Sequence, residues 1–197
     1  MRTISTILLA GGLALLPAVP AMAQDGLRLE VQGGYDHMNF PDQTGNAPGA
    51  TAGGGRAVFG VGAGYDVPLS GPVFAGIDTN VDFGSKSSCN AGVVSAGDQL
   101  CGKLKSDWDV GARLGVHAGP AAIYGRVAYD RTTFATTYTD PLANVSYASK
   151  SADGLRLGAG VEYNLTPMVY TKAEYRWTTA SDVPDHNQVL AGIGVRF

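Results

Sequence analysis

The last nine residues, Val189–Phe197, read VLAGIGVRF and decide the fold. The odd-numbered positions are apolar, while a leucine, two glycines and Arg196 fill the positions between them. Alternation with a period of two is typical of a β-strand with two different faces. The stretch therefore predicts a terminal strand with one apolar face, formed by Val189, Ala191, Ile193, Val195 and Phe197.

The same alternation recurs along the chain and predicts eight strands. These are expected near residues 26–38, 56–67, 72–84, 105–118, 121–132, 154–165, 168–179 and 187–197. Tight connections marked by Pro and Gly (68–72, 118–121, 165–168) alternate with longer ones near 39–55, 85–104, 133–153 and 180–186. This plan predicts an all-β, eight-stranded antiparallel up-and-down transmembrane barrel, with short periplasmic turns and four longer extracellular loops.

The apolar face indicates that the barrel contacts lipid rather than enclosing an apolar core, as a secreted barrel of the lipocalin type would. Its aromatic residues gather near the strand ends, where a bilayer interface favours amphipathic rings. The predicted aromatic girdle comprises Tyr35, Phe59, Tyr65, Phe83, Trp108, Tyr129, Tyr163 and Trp177.

The opposite face of the strands carries nearly all the charge and many of the glycines. A charge on the lipid side would cost about 2–4 kcal/mol at mid-membrane, so charges are expected inside. We expect an internal salt-bridge network formed by Asp78, Arg113, Arg126, Glu162, Lys172, Glu174 and Arg176. The alternative is a set of hydrated side chains that line a thin pore.

The N-terminal 23 residues are predicted to be a secretory signal peptide, and residues 24–197 to be the barrel domain. Arg2 precedes an apolar run that is too short to span a bilayer as a helix, and Ala21-Met22-Ala23 supplies the small-residue cleavage pattern. The net charge of −3 gives no indication of a nucleic-acid partner.

The chain has two cysteines, Cys89 and Cys101, within a predicted loop. An oxidising compartment and the short spacing favour a disulfide between them. No further ligands lie near them in the sequence, so neither a metal site nor any other cofactor is expected.

These features together resemble the small outer-membrane β-barrels of Gram-negative bacteria, which include the outer-membrane protein A transmembrane domain and the opacity-protein-like porin family. The resemblance covers residues 24–197 and implies location in the cell outer membrane. It also implies that the barrel assembly machinery reads the terminal strand. Because the sequence ends with the last predicted strand, we do not expect the periplasmic peptidoglycan-binding domain of full-length outer-membrane protein A.

Three functions follow as hypotheses. The first is a structural anchor that displays surface loops for envelope integrity, adhesion or recognition of an unknown extracellular ligand, with the lumen plugged by charged side chains. The second is a narrow, low-conductance channel for ions or small solutes. The third is a lipid-modifying or proteolytic enzyme at the rim, where His37 and His186 are expected, with Asp36 next to the first and Ser181 and Asp185 close to the second in sequence. Since no GxSxG elbow is present, we expect no enzymatic activity.

Overall fold

The computed structural model describes residues 26–41, 51–84, 88–91, 97, 99–180 and 183–197. The strands are β1 (Leu27–Pro41), β2 (Thr51–Ser70), β3 (Val73–Gly84), β4 (Ser88–Ala91), β5 (Gln99–Ala118), β6 (Ala121–Thr139), β7 (Val145–Asn164), β8 (Val169–Ala180) and β9 (Val183–Arg196). The predicted signal peptide lies outside the described residues. Among those described, no helix is long and apolar enough to cross a membrane.

Eight of these strands close into a ring in which sequence neighbours pair antiparallel. The ring closes where β1 pairs with β9, from Arg28 opposite Arg196 to Met38 opposite His186. β3 pairs directly with β5, because the short β4 pairs with the far end of β5 only. The predicted eight-stranded antiparallel up-and-down fold is therefore confirmed.

Tight turns join the strands at one end of the barrel, called here the turn end. The β2–β3 and β5–β6 turns contain Gly71 and Gly119, whose φ angles are +56° and +63°. L side chains rarely adopt this left-handed region, so glycine is the residue that allows the chain to reverse here without strain. The chain terminus also lies at the turn end, where the Phe197 N–H donates to the Leu27 carbonyl at 2.9 Å.

Side chains alternate between the outside and the lumen along most of each barrel strand. In β6, for example, residues 122, 124, 126, 128 and 130 are buried, whereas 123, 125, 127 and 129 are exposed. Lys105 stands at an odd-numbered position of β5, like the buried charged residues of that strand, and yet it is exposed. It lies at a β-bulge, where the β5–β6 register shifts between Leu104 and Ser106 and the alternation is interrupted.

Several strands extend further from the turn end than the alternation predicts. β6 and β7 remain paired up to Thr139 opposite Val145, so the expected loop 133–153 shortens to a turn at residues 140–144. β5 likewise begins at Gln99, inside the expected loop 85–104, and that loop also contributes β4. We call the upper β6–β7 segment (residues 132–153) the projecting hairpin.

Candidate functional site

The lumen holds most of the charged side chains of the barrel. The buried cations are Arg28, Arg113, Arg126, Arg156, Lys172, Arg176 and Arg196. The buried carboxylates are Glu30, Asp36, Asp66, Asp82, Asp107, Asp109, Asp130, Glu162 and Glu174. The partly exposed Arg56 and Asp78 pair with members of these sets. Because an eight-stranded barrel encloses space only for side chains, these groups fill its interior.

At the turn end, three arginines surround two carboxylates. Nε and Nη2 of Arg113 donate to Asp66 at 2.8 and 2.5 Å, and its Nη1 donates to Glu162 at 2.5 Å. Arg28 lies 2.7 Å from Asp66, and Arg196 pairs with Glu162. None of these five side chains is more than 3% exposed. Buried charges are tolerated in this arrangement because each one has an opposite charge within ion-pair distance.

Halfway along the barrel, a lysine and an arginine hold the next layer of carboxylates. Nζ of Lys172 donates to Glu30 at 2.5 Å and to Glu174 at 3.2 Å. Nη2 of Arg126 lies 2.7 Å from Asp78, and its Nη1 lies 3.6 Å from Glu174. Glu174 therefore links the two cations into one cluster.

Nearer the loop end, Arg156 is fully buried and contacts three carboxylates. Its guanidinium nitrogens lie 2.6 Å from Asp107, 2.7 Å from Asp109 and 2.7 Å from Asp130. Arg176 approaches the same Asp109 at 3.8 Å. The layers thus share members, and ion pairs follow one another along the barrel axis.

All seven residues that we expected in the network lie in this set of ion pairs, together with several that we did not name. Sequence reasoning also missed three aromatic rings that point inward, Phe74, Tyr124 and Tyr170. The Tyr124 hydroxyl donates to Glu174 at 2.5 Å and the Tyr170 hydroxyl to Glu30 at 2.7 Å. These three rings stand at even-numbered positions, as the buried charged residues of the same strands do. That shared alternation was the signal that would have predicted their position in the lumen.

These inward rings also contact the arginines of the turn-end cluster. The Arg113 guanidinium carbon lies 5.0 Å from the Phe74 ring centroid and 4.7 Å from that of Tyr124. Arg196 stacks over Tyr170 at 4.5 Å. A guanidinium over an aromatic face gains cation–π attraction, which is larger where water is excluded. The rings therefore hold the arginines from the faces that carboxylates do not reach.

The eight girdle residues that we predicted all lie on the outer surface, at two levels. At the loop end, the ring centroids of Phe59 and Phe83 are 5.9 Å apart, and those of Trp108 and Tyr129 are 5.8 Å apart. The other members are Tyr35 and Trp177 at the loop end and Tyr65 and Tyr163 at the turn end. In β9, Val189, Ala191, Ile193 and Val195 share the outer face, while Leu190 is buried in the lumen, and Phe197 follows directly after the strand.

The residues of the hypothetical rim enzyme do not form a triad among the described residues. Ser181 lies outside them, His37 and Asp185 are exposed, and the buried His186 ring lies 3.8 Å from Asp36. Within the described part of the chain, no group of three or more His, Cys, Asp or Glu residues is arranged to hold a metal ion.

The β4–β5 register places Cys89 directly opposite Cys101. Residues directly opposite each other on antiparallel strands have Cβ atoms about 4.5–5.5 Å apart, close to the separation that a disulfide spans. The disulfide itself stays a prediction.

The projecting hairpin ends in a turn that Asp140 organises. Its Oδ1 accepts the N–H groups of Leu142 and Asn144 at 2.9 and 2.8 Å, and its Oδ2 accepts the Asn144 side-chain amide at 2.8 Å. These hydrogen bonds lower the pKa of Asp140, the bond from the Asn144 side chain having the largest effect. The turn holds Leu142 84% exposed at the tip.

Comparison with known proteins agrees with this geometry. Residues 7–197 match the family described as outer membrane protein beta-barrel domain. A curated relative, the 22 kDa outer membrane protein of Rhizobium leguminosarum bv. viciae, is 27% identical over 92% of this chain and 82% of its own length.

Two solved structures share the fold at low sequence identity. The attachment invasion locus protein Ail of Yersinia pestis, crystallised with the heparin analogue sucrose octasulfate, is 15% identical with a TM-score of 0.56, over 88% of this chain and 99% of that one. Neisserial surface protein A is 16% identical with a TM-score of 0.53, over 87% of this chain and 97% of that one. The chain belongs to the outer membrane protein β-barrel domain family, and it is a protein of the cell outer membrane.

Proposed function

We propose that this protein is a sealed outer-membrane anchor that acts through the structure it displays outside the cell. The observation that carries the proposal is the series of buried ion pairs that bridges non-adjacent strands at successive levels of the lumen. Arg113 joins β5 to β2 and β7, and Arg156 joins β7 to β5. An open pathway for ions would require these pairs to separate.

Separation of the pairs is costly in free energy. A buried charge that loses its partner destabilises a protein by about 3–5 kcal/mol. In the turn-end cluster, Arg113, Asp66 and Glu162 would have to separate together, because each lies in contact with another member. The closed arrangement is therefore the stable one, and the lumen acts as a rigid filling rather than as a channel.

The outward display supports the second part of the proposal. The projecting hairpin extends β6 and β7 beyond the level at which β8 ends, and its side chains at residues 141–151 are exposed. Ail is a fold relative whose crystal structure holds a heparin analogue. We infer a related kind of role for this chain, in surface recognition, adhesion or envelope integrity, and not in catalysis.

The partners of the barrel wall follow from its surface. We propose that outer-membrane lipid covers the exposed apolar band, and that the two levels of aromatic rings lie at its interfaces. We further propose that the barrel assembly machinery reads the outer face of β9, and that export uses residues 1–23 as a cleaved signal peptide.

Planar-bilayer conductance of the refolded protein tests the seal. We expect the wild-type protein to give no steady conductance, and Arg113→Ala to give one, because loss of the guanidinium leaves space and unpaired carboxylates that water hydrates. The exposed Arg131→Ala is the matched control, since Arg131 pairs with Asp153 outside the lumen, and it should stay silent. Steady wild-type conductance would reject the anchor with a sealed lumen.

A second candidate, a narrow channel, rests on a separate observation. Several buried polar atoms near the loop end have no direct hydrogen-bond partner among the described residues, including Asp36 Oδ1, Asp107 Oδ1 and Gln188 Oε1. Buried polar groups of this kind are usually satisfied by ordered water. Water at the loop end of the lumen would form the entrance of such a channel. Small conductance steps with a preference for cations would support the channel function.

A further inference from the structure

The upper half of β7 has a strand partner on one side only. β6 pairs with β7 along the whole projecting hairpin, from Thr139 opposite Val145 downward. On the other side, β8 begins to pair with β7 only at Gly154, opposite Ala180. No described strand therefore pairs with the outer edge of residues 145–153, which we call the β7 edge.

Within the described part of the chain, the β7 edge is longer and more regular than the strand edges that natural proteins usually leave exposed. Natural proteins keep such edges short, bulged, rich in charge or covered, because an open edge is a template for another strand. Here the edge runs for nine residues, VSYASKSAD, in regular register with β6 and without a bulge. Its side chains are largely exposed, with Tyr147 81% exposed, and its charged residues are Lys150 and Asp153.

We propose that the β7 edge pairs antiparallel with the β7 edge of a second copy of this protein. The inference rests on the proposed display of the hairpin outside the cell. Pairing of two extended edges satisfies the backbone donors and acceptors of both with each other. A second copy is favoured as the occupant because the edge can pair with itself over all nine residues without placing like charges directly opposite each other.

The register follows from symmetry. Two residues that lie opposite each other on paired strands point to the same side of the sheet. A two-fold axis perpendicular to the sheet must therefore pass through one residue, which pairs with the same residue of the other copy. An axis through Ser149 pairs all nine residues and places Lys150 opposite Ala148. An axis through Lys150 would place two like charges opposite each other, which is destabilising. An axis through Ala148 would pair fewer residues, so Ser149 is the predicted centre.

The direction of the strands decides where the two copies stand. Antiparallel pairing reverses one barrel relative to the other, so the two barrels must be embedded in membranes that face each other. Nine residues of extended chain span about 30 Å, which sets the approximate distance between those membranes. The proposed contact is therefore adhesion between two surfaces that carry this same protein.

Vesicle clustering tests the proposal directly. The full chain is reconstituted in phosphatidylcholine vesicles, each variant is first shown to be folded by its gel shift without heating, and clustering is followed by light scattering. We expect wild-type vesicles to cluster and Ser149→Asp vesicles to remain dispersed, because the variant places two carboxylates opposite each other on the axis. The neutral Ser149→Asn is the matched control and should cluster like the wild type.

Cross-linking provides a second measurement of the register. In a background with Cys89→Ser and Cys101→Ser, we expect Ser149→Cys to form disulfide dimers between vesicles and Ser151→Cys to form few, since Ser151 faces Tyr147 of the other copy. Two separately labelled vesicle populations distinguish contacts between membranes from contacts within one. Failure of wild-type vesicles to cluster, clustering that survives Ser149→Asp, or dimers that form only within one vesicle would overturn the proposal. The conductance of a planar bilayer does not depend on pairing between two copies. The proposed sealed anchor is therefore tested independently of this contact.

Discussion

Nη1 of Arg113 on β5 lies 2.5 Å from Oε1 of Glu162 on β7, across the lumen and past the strand that stands between β5 and β7. Both side chains are 1% exposed. No local sequence pattern brings these two residues together, because their strands do not pair with each other. The contact exists only because the sheet closes on itself and directs both side chains toward the same axis.

Loss of that carboxylate charge should therefore be costly. Glu162→Gln leaves Arg113 and Arg196 without their shared anion, and we expect a loss of about 3–5 kcal/mol in the free energy of unfolding. Asp153→Asn is the control, because its pair with Arg131 is about half exposed and should contribute about 0–1 kcal/mol. Urea titration in detergent, followed by tryptophan fluorescence, measures both. Equal losses in the two variants would contradict a buried network.

Depth in the bilayer should determine the effect of a charge on the outer wall. Val61 and Leu165 are 54% and 56% exposed, but Val61 lies between the two aromatic levels and Leu165 lies in the β7–β8 turn. We expect Val61→Arg to cost about 2–4 kcal/mol and Leu165→Arg about 0–1 kcal/mol. The measurement is the unfolding equilibrium in lipid vesicles. Similar values for the two variants would show that the wall does not face hydrocarbon.

Glycines on the two faces of the barrel should respond in opposite ways to an added methyl group. A Cβ on Gly160 would lie 2.5 Å from the Tyr124 hydroxyl oxygen and 2.9 Å from the Ala173 carbonyl oxygen. A Cβ on Gly125 would meet only the Gly158 carbonyl oxygen, at 3.9 Å. We expect Gly160→Ala to destabilise by about 1–3 kcal/mol. Gly125→Ala should be neutral or stabilising by up to about 1 kcal/mol, and urea titration distinguishes the two outcomes.

The tip of the projecting hairpin should loosen in acid. Because the pKa of Asp140 is lowered below its ordinary value of 3.8, its hydrogen bonds stabilise the turn above that value and are lost as pH falls through the lowered pKa. We expect the Leu142 and Asn144 amides to lose protection from hydrogen exchange below about pH 4. Asp140→Asn should remove most of this pH dependence. Unchanged protection at low pH would show that the carboxylate does not hold the turn.

The cross-strand cysteines should form a disulfide. We expect Cys89 and Cys101 to resist maleimide labelling in the unfolded protein until a reductant is added. Removal of both by Ser substitution should cost at most about 3 kcal/mol, because the loop that they close is short. Because the pair lies on β4 and the end of β5, away from the closed ring, the loss should appear in local exchange before it appears in global unfolding. Full labelling without reductant would reject the disulfide.

The strand alternation was enough to predict eight strands, antiparallel pairing and the two faces of the wall, whereas the location in the outer membrane followed from what each face carries and from the resemblance to outer-membrane barrels. This prediction succeeds because each residue on a strand is directed to lipid or to the lumen by a period of two, and a charge on the wrong face is costly. The same parity also marked Tyr124 and Tyr170 as inward residues.

Tertiary structure decided which charges pair, how far the strands project and which edge stays open. Ion pairs such as Arg113–Glu162 depend on the stagger of the closed ring, which brings together residues on strands that do not neighbour each other. The bulge that exposes Lys105 and the extension of β6 and β7 depend on pairing with a partner strand. The sequence of a strand determines whether a side chain points toward lipid or toward the lumen. The contacts that the side chain makes depend on closure of the sheet, because they join residues on different strands.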